Sequence, residues 1–247
     1  MKRRFYSLFL VLVLIFSIFF SGTALAQEQN DLTQTVSTQI NISDWALDDL
    51  FFGDTYDIYP QRWYEAGMQK PITNAQLRVL MAGIRCKLLN TGCVTEVDDV
   101  IYKIKDNMTV KEVLEILYTM IKNTEFNKDI GIVAGENALD YMAKTGIFTG
   151  YEGELSLKDI CTIEQACAIA TRLVTYLYDV LEASSKGFLW EIKSGENTAY
   201  LLGSIHVGNY DLYPLSNKIL KAFAESDVLC VEIDFVNTDV NMMTSLY

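Results

Sequence analysis

Histidine is scarce in this sequence: among 247 residues there is one, His206. A site that needs two imidazoles from this chain is therefore excluded. The five cysteines form no Cys-x-x-Cys pair, which excludes a zinc ribbon and a thioredoxin-like redox motif. Only three prolines and a hydrophobic fraction of 50% exclude disordered, collagen-like and low-complexity architectures.

Basic residues are outnumbered by acidic ones. The chain has 20 Lys and Arg against 32 Asp and Glu, which gives a formal net charge of −12. An acidic surface repels the phosphate backbone of DNA and RNA. We therefore expect no nucleic-acid partner.

The first 26 residues have the pattern of a secretory signal peptide. Residues 2–4 are basic, residues 5–20 are apolar, and residues 24–26 fit an A-x-A cleavage site. An uncleaved membrane anchor is the alternative, but the apolar run is short for a span of about 20 residues. We expect a secreted protein at the cell surface or cell wall, which meets the membrane only through its signal peptide.

An odd number of cysteines leaves at least one thiol unpaired in an exported monomer. Cys86 and Cys93 flank the turn Asn90-Thr91-Gly92 and form the one candidate disulfide. We favour the interpretation that most of the cysteines are small buried apolar residues.

Residues 43–183, which follow a polar linker at 27–42, repeat one helix-start signal. The pattern Thr-x-x-(Glu/Gln) predicts a capping box, in which the side chains of the first and last residues bond each other's backbone N–H groups. The pattern occurs at Thr73 with Gln76, Thr109 with Glu112, and Thr162 with Gln165. Each precedes an apolar stretch with helical spacing, and helical partners are predicted upstream at 45–52, 97–104 and 138–144. We therefore predict three helical-hairpin repeats.

Residues 138–180 resemble an S-layer homology repeat. The resemblance is carried by a helix, then GI-x-x-GY-x-G-x-L from residue 146, then the capped helix that begins at Thr162. Residues 44–89 are similar more loosely, and residues 95–122 keep the second-helix half. The resemblance implies three hairpins in a pseudo-threefold cluster that binds cell-wall polysaccharide. Asn74, Val110 and Ile163 depart from it, because many members carry a basic residue there; a plain helical spacer is the alternative.

After residue 187 the pattern changes to short strands. Apolar runs at 188–192 and 198–205 predict a β-hairpin with a five-residue loop. Residues 215–225 predict a helix, and 228–233 predict a strand covered on both faces, which completes a βαβ unit. The predicted fold class is multidomain, α followed by α/β: helical-hairpin repeats, then a β-hairpin and the βαβ start of an α/β domain at 187–247.

This topology places His206 and Glu232 at one rim of the sheet. Both lie near the carboxyl ends of adjacent predicted strands, where ligands bind in open α/β sheets. Imidazole and carboxylate are metal ligands and acid–base groups. Gly203 and Gly208 flank His206 and allow a close backbone or ligand approach. We predict His206 and Glu232 as catalytic and metal-binding residues; a structural role is the alternative for a lone histidine.

Residues 188–235 resemble the start of the TraB/GumN family, whose members include the TIKI-type proteases. The matching text is LWE at 189–191, AYLLGSIHVG at 199–208, YPL at 213–215, SDVL at 226–229 and VEID at 231–234. The resemblance implies a hydrolase fold with a divalent metal ion near His206 and Glu232. For the TIKI-type relatives the implied reaction is cleavage of a peptide substrate.

The family resemblance also implies a second G-x-x-H motif far downstream, and this chain has no second histidine. We therefore expect a fragment of a longer exported, cell-wall-associated metal-dependent hydrolase, which alone binds no metal and is inactive. The competing hypothesis is a non-catalytic protein that binds or anchors to cell-wall polysaccharide. A third is a peptide-binding protein that uses the same rim without hydrolysis. These three hypotheses can be distinguished by finding out whether the reading frame continues into a second G-x-x-H motif.

Overall fold

The computed structural model describes residues 41–150, 157–204 and 208–232, which belong to one compact unit, residues 39–247. The α-helices are α1 (Leu47–Tyr56), α2 (Trp63–Ala66), α3 (Asn74–Asn90), α4 (Val110–Asn123), α5 (Ala138–Lys144), α6 (Ile163–Val180) and α7 (Asn217–Glu225). The strands are β1 (Leu189–Ser194) and β2 (Asn197–Leu202), and 3-10 turns lie at Asp44–Ala46, Ile101–Lys103 and Tyr210–Leu212. The predicted signal peptide lies outside the described residues. Within them, no helix has the length and apolar character needed to cross a membrane.

All three predicted capping boxes are confirmed. In each, the threonine hydroxyl accepts from the N3 backbone N–H, and the N3 side chain accepts from the threonine N–H. The pairs are Thr73 with Gln76 at α3, Thr109 with Glu112 at α4, and Thr162 with Gln165 at α6. Local sequence therefore fixes where these three helices begin.

The segments that carry the three caps also bond to one another. The Ile72 N–H donates to the Cys161 carbonyl over 2.9 Å, and the Val110 N–H donates to the Asp159 carbonyl over 3.0 Å. The chain before α6 thus lies between the chains before α3 and α4. As a consequence, the three capped helices start from one shared junction.

Helix α6 lies at the centre of the hydrophobic core. It contacts α1, α3 and α4, and its residues Cys167, Ala170 and Leu173 are fully buried. The aromatic run at 51–64 contributes to the same core, since Tyr59 and Trp63 are buried and stack on each other. Tyr59 and Trp63 of the aromatic run are therefore part of the core.

The upstream helices were predicted with mixed success. The helices at 45–52 and 138–144 are confirmed, apart from small shifts of their ends. The prediction of a helix at 97–104 is wrong, because only the 3-10 turn Ile101–Lys103 forms there. The Asp99 carboxylate accepts from the Ile101 N–H over 3.0 Å, a local bond that competes with a helix.

The carboxyl-terminal part contains a smaller sheet than predicted. The β1–β2 hairpin is confirmed, but its loop has two residues, because Ser194 pairs with Asn197 and Gly195 takes a φ of 61°. No third strand forms in the described residues: 228–232 are irregular and exposed. No strand of the described residues pairs with their backbone. The predicted βαβ unit is therefore absent there, and the described fold is helical with one small antiparallel sheet.

The candidate disulfide is absent, and the expectation that most of the cysteines are buried holds for two of the five. All five are free, so the Cys86–Cys93 disulfide is not formed. Cys161 and Cys167 are buried as expected, and burial raises the pKa of the Cys161 thiol to about 12. Cys86 and Cys230 are exposed instead.

One carboxylate in α1 is stabilised poorly by its surroundings. The Oδ1 atom of Asp54 is buried and has no hydrogen-bond partner within the described residues. Burial raises the pKa of Asp54 from 3.8 to about 6, the Tyr64 hydrogen bond lowers it, and the nearby Asp57 carboxylate raises it. The folded pKa of Asp54 lies above the usual one, so the folded state binds this proton more tightly than the unfolded state does. The stability that this tighter binding contributes is complete below the usual pKa of 3.8 and is lost as the pH rises through about 6.

Replacing Asp54 with asparagine should therefore stabilise the protein at pH 7. The expected gain is at most about 3 kcal/mol, since one pKa unit corresponds to about 1.4 kcal/mol. The gain should vanish at about pH 2.5, well below the ordinary pKa of 3.8, where Asp54 is protonated in both states. Urea unfolding at the two pH values measures it, with Asp106→Asn at an exposed position away from Asp54 as the control. Equal gains at both pH values would contradict the assignment.

Candidate functional site

The candidate site lies where β2 ends. The ladder continues for one more bond, because the Gly203 N–H donates to the Phe188 carbonyl over 2.8 Å. Gly203, Ser204, Gly208 and Glu232 are described, whereas His206 lies outside the described residues.

Glu232 lies next to this end of β2. The Ser204 hydroxyl donates to Oε1 of Glu232 over 2.8 Å, although the two residues are 28 positions apart. Glu232 is exposed. The hydrogen bond brings Glu232 to the segment that leads into His206, even though 228–232 form no strand. Sequence reasoning missed Ser204; its one signal is its place two residues before the histidine.

Both loop glycines lie close to neighbouring side chains. A Cβ atom at Gly203 would lie 3.2 Å from Cβ of Phe188, and one at Gly208 would lie 2.4 Å from Cδ1 of Leu212. The close contacts are with the protein itself, on the two sides of the predicted site. One contact lies at Gly203, before residues 205–207, and the other at Gly208, after them.

The hairpin presents two different faces. On one face, the side chains of Leu202 in β2 and Ile219 in α7 both lie close to Gly187. On the same face, the Tyr200 hydroxyl donates to Glu225 of α7 over 3.0 Å. On the other, Phe188 and Trp190 stack with ring centroids 6.0 Å apart and remain exposed. The candidate site therefore lies at the end of a strand that is supported by α7 on one side.

The described residues do not make a metal site on their own. No group of three His, Cys, Asp or Glu side chains in 41–150, 157–204 and 208–232 is placed to hold an ion. Of the two predicted ligands, Glu232 is described and His206 is not. Because stable transition-metal sites generally use three or four protein ligands, Glu232 alone does not suffice.

Comparison with known proteins concerns this same part of the chain. The model of the TraB/PrgY/gumN family matches residues 188–246. The "Uncharacterized protein YbaP" of Shigella flexneri is 40% identical over 45 residues, which cover 18% of this chain and 17% of that protein. The aligned part is thus under one fifth of that relative's length. No solved structure matches the chain. The comparisons therefore support a relationship of the carboxyl-terminal segment, residues 188–246, to the TraB/PrgY/gumN family.

Proposed function

We propose that the chain is part of an exported, cell-wall-associated hydrolase that depends on a divalent metal ion, with a peptide as its substrate. The observation that carries the proposal is the 2.8 Å hydrogen bond from Ser204 to Glu232, within the segment that the family model matches. It holds a carboxylate beside Ser204, which precedes the chain's one imidazole by two residues in the sequence. In this proposal His206 and Glu232 are ligands of the ion, and further ligands come from outside the described residues.

The side chains here have distinct tasks in this proposal. Ser204 orients the Glu232 carboxylate, as hydrogen-bonded outer partners generally orient metal ligands. Gly203 and Gly208 let the backbone at these two positions lie close to Phe188 and Leu212. A divalent ion at such a site supplies a Lewis acid and an activated water for hydrolysis.

Metal-dependent turnover tests this function directly. A chain continued through a second G-x-x-H motif should cleave members of a peptide library when zinc or manganese is added, and should lose this activity with a chelator. His206→Ala and Glu232→Gln should each abolish turnover, whereas the exposed Glu196→Gln at the hairpin turn should not. Undiminished turnover by His206→Ala would contradict the proposed site.

A second candidate function is binding of cell-wall polysaccharide by the helical region. It is favoured by the shared junction of the three capped helices and by a cleft of about 560 Å³ beside α4. Lys103, Glu112 and Thr119 line this cleft with charged and hydroxyl groups that hydrogen-bond sugars. Its lysines are already engaged: Lys105 pairs with Glu112, and Lys103 bonds Thr119. We therefore expect hydrogen bonding rather than charge to dominate.

Co-sedimentation with purified cell-wall polysaccharide tests this second function. We expect weak binding by residues 27–247 that changes little with salt, because the acidic chain does not attract anionic polymers. A Lys103→Ala, Thr119→Ala double variant should reduce the sedimented fraction, and the exposed Lys221→Ala should not. Absence of sedimentation at every salt concentration would leave the helical region as a spacer.

A further inference from the structure

One face of the β1–β2 hairpin is a continuous apolar surface. Side chains alternate between the two faces of a strand, so Phe188, Trp190 and Ile192 lie on the same face. Leu201 joins them, because the strand register places it directly opposite Trp190. The rings of Phe188 and Trp190 also stack, with 6.0 Å between their centroids. We call the surface formed by these four side chains the outer face.

The outer face is exposed, although its four residues are all large and apolar. The exposed fractions are 73% for Phe188, 52% for Trp190, 55% for Ile192 and 57% for Leu201. Single exposed apolar residues are ordinary on protein surfaces, whereas four on one face of a hairpin form a patch. A patch of this kind is typical of a surface that another molecule covers.

The opposite face of the hairpin carries its charges. Glu191 and Lys193 lie there and pair with each other over 2.9 Å, on the side where Tyr200 bonds Glu225 of α7. An antiparallel sheet with one covered face normally directs its charged residues to water. Here the charged pair is on the helix side, and β1 and β2 contribute no charged side chain to the outer face. The outer face is therefore the side that requires a second layer.

The size of the outer face fits a second copy of the same chain. Two aromatic and two aliphatic side chains at these exposures offer roughly 500 Å² per copy. A symmetric dimer would bury this area on both copies, about 1,000 Å² in all, which is the lower limit for a specific interface. In a two-fold dimer each copy contributes the same patch, so an apolar face is complementary to itself.

The charge of the chain favours the same partner. The formal net charge is −12, so two copies repel each other wherever their charged surfaces meet. The outer face avoids this repulsion, because the hairpin places no charge on it. An anionic membrane is a poor alternative, since apolar patches that bind such surfaces are normally supported by basic residues.

We propose that the chain forms a two-fold dimer through its outer faces, with Trp190 of each copy near the centre of the interface. The two hairpins pack face to face about 10 Å apart, as stacked sheets do. Trp190 lies between Phe188 and Ile192 along the chain and opposite Leu201, and tryptophan is a frequent anchor of interfaces. The dimer goes beyond the proposed function and uses none of the residues assigned to hydrolysis.

Sedimentation equilibrium of the chain from residue 27 tests the dimer. We expect the average mass to rise towards twice that of one chain between about 1 and 300 µM, because the interface is small. Replacing Trp190 with lysine should weaken dimerisation at least about 100-fold, because each copy would bury an unpaired charge. Added salt should strengthen the wild-type dimer, because it screens the repulsion between two acidic copies.

Tyr102→Lys is the matched control, because it adds the same charge in place of an exposed aromatic residue of the helical region. This variant should dimerise like the wild type. Far-UV circular dichroism shows whether each variant is folded, and if Trp190→Lys unfolds, Leu201→Lys on the neighbouring strand decides instead.

Three results would overturn the proposal. The first is a wild-type chain that stays monomeric up to about 300 µM, whether it remains free or floats with vesicles of anionic phospholipid. The second is a folded outer-face variant that dimerises as tightly as the wild type, and the third is equal weakening by Tyr102→Lys. None of these results would bear on metal-dependent hydrolysis, so the two proposals fail separately.

Discussion

Replacing Gly83 with alanine should destabilise the protein by about 3 kcal/mol or more, the upper range for overpacking a close contact. Gly83 lies inside α3, where alanine normally stabilises a helix by about 1 kcal/mol relative to glycine. At this position, however, a Cβ atom would lie 2.2 Å from the carbonyl oxygen of Ile58 and 2.9 Å from its Cα. Backbone cannot rotate away as a flexible side chain does, so α3 would have to move from its neighbour.

The adjacent residue provides a matched control. Ala82 is exposed in the same helix, so Ala82→Gly should cost only about 1 kcal/mol through helix propensity. Chemical denaturation of both variants gives the two values in the same assay. A Gly83→Ala variant as stable as the wild type would show that α3 does not lie against Ile58 as described.

The largest expected functional effect is that of His206→Ala in a chain continued through a second G-x-x-H motif. Loss of outer-shell partners typically weakens metal binding about 10- to 100-fold, so loss of a direct ligand should exceed about 100-fold. Ser204→Ala, which removes the 2.8 Å bond to Glu232, should weaken binding about 10-fold. The exposed Ser194→Ala at the end of β1 serves as the control for a serine lost from the hairpin. If the Ser204 and Ser194 substitutions weakened metal binding equally, Ser204 would have no role in supporting the metal site.

Local signals in the sequence were sufficient for most helix starts. A capping box involves four consecutive residues, so Thr73, Thr109 and Thr162 could be identified without knowledge of their neighbours in space. The hairpin was predictable for the same reason, although Gly195 closes it with a shorter loop than apolar spacing suggested. The helix at 97–104 was predicted wrongly because apolar spacing does not reveal the bond between the Asp99 side chain and the backbone.

Long-range contacts account for what could not be predicted. A strand at 228–233 requires a neighbour to pair with, and apolar composition does not supply one. The contacts from Ser204 to Glu232 and from Lys87 to Tyr210 join residues 28 and 123 positions apart. No periodicity connects such pairs, and the reason for a glycine at residue 83 is likewise found at Ile58. The contacts of Ser204, Lys87 and Gly83 could therefore not be predicted, and the pair of site residues His206 and Glu232 stays a prediction.

Calorimetric titration with zinc and manganese, at two chain lengths and with or without His206, tests the central claim most directly. The 247-residue chain offers one imidazole with nearby carboxylates, so it should bind either ion no more tightly than its His206→Ala variant. The continued chain should bind one ion per molecule, and His206→Ala should abolish that binding. Tight stoichiometric binding by the shorter chain, or undiminished binding by the longer His206→Ala variant, would contradict the account.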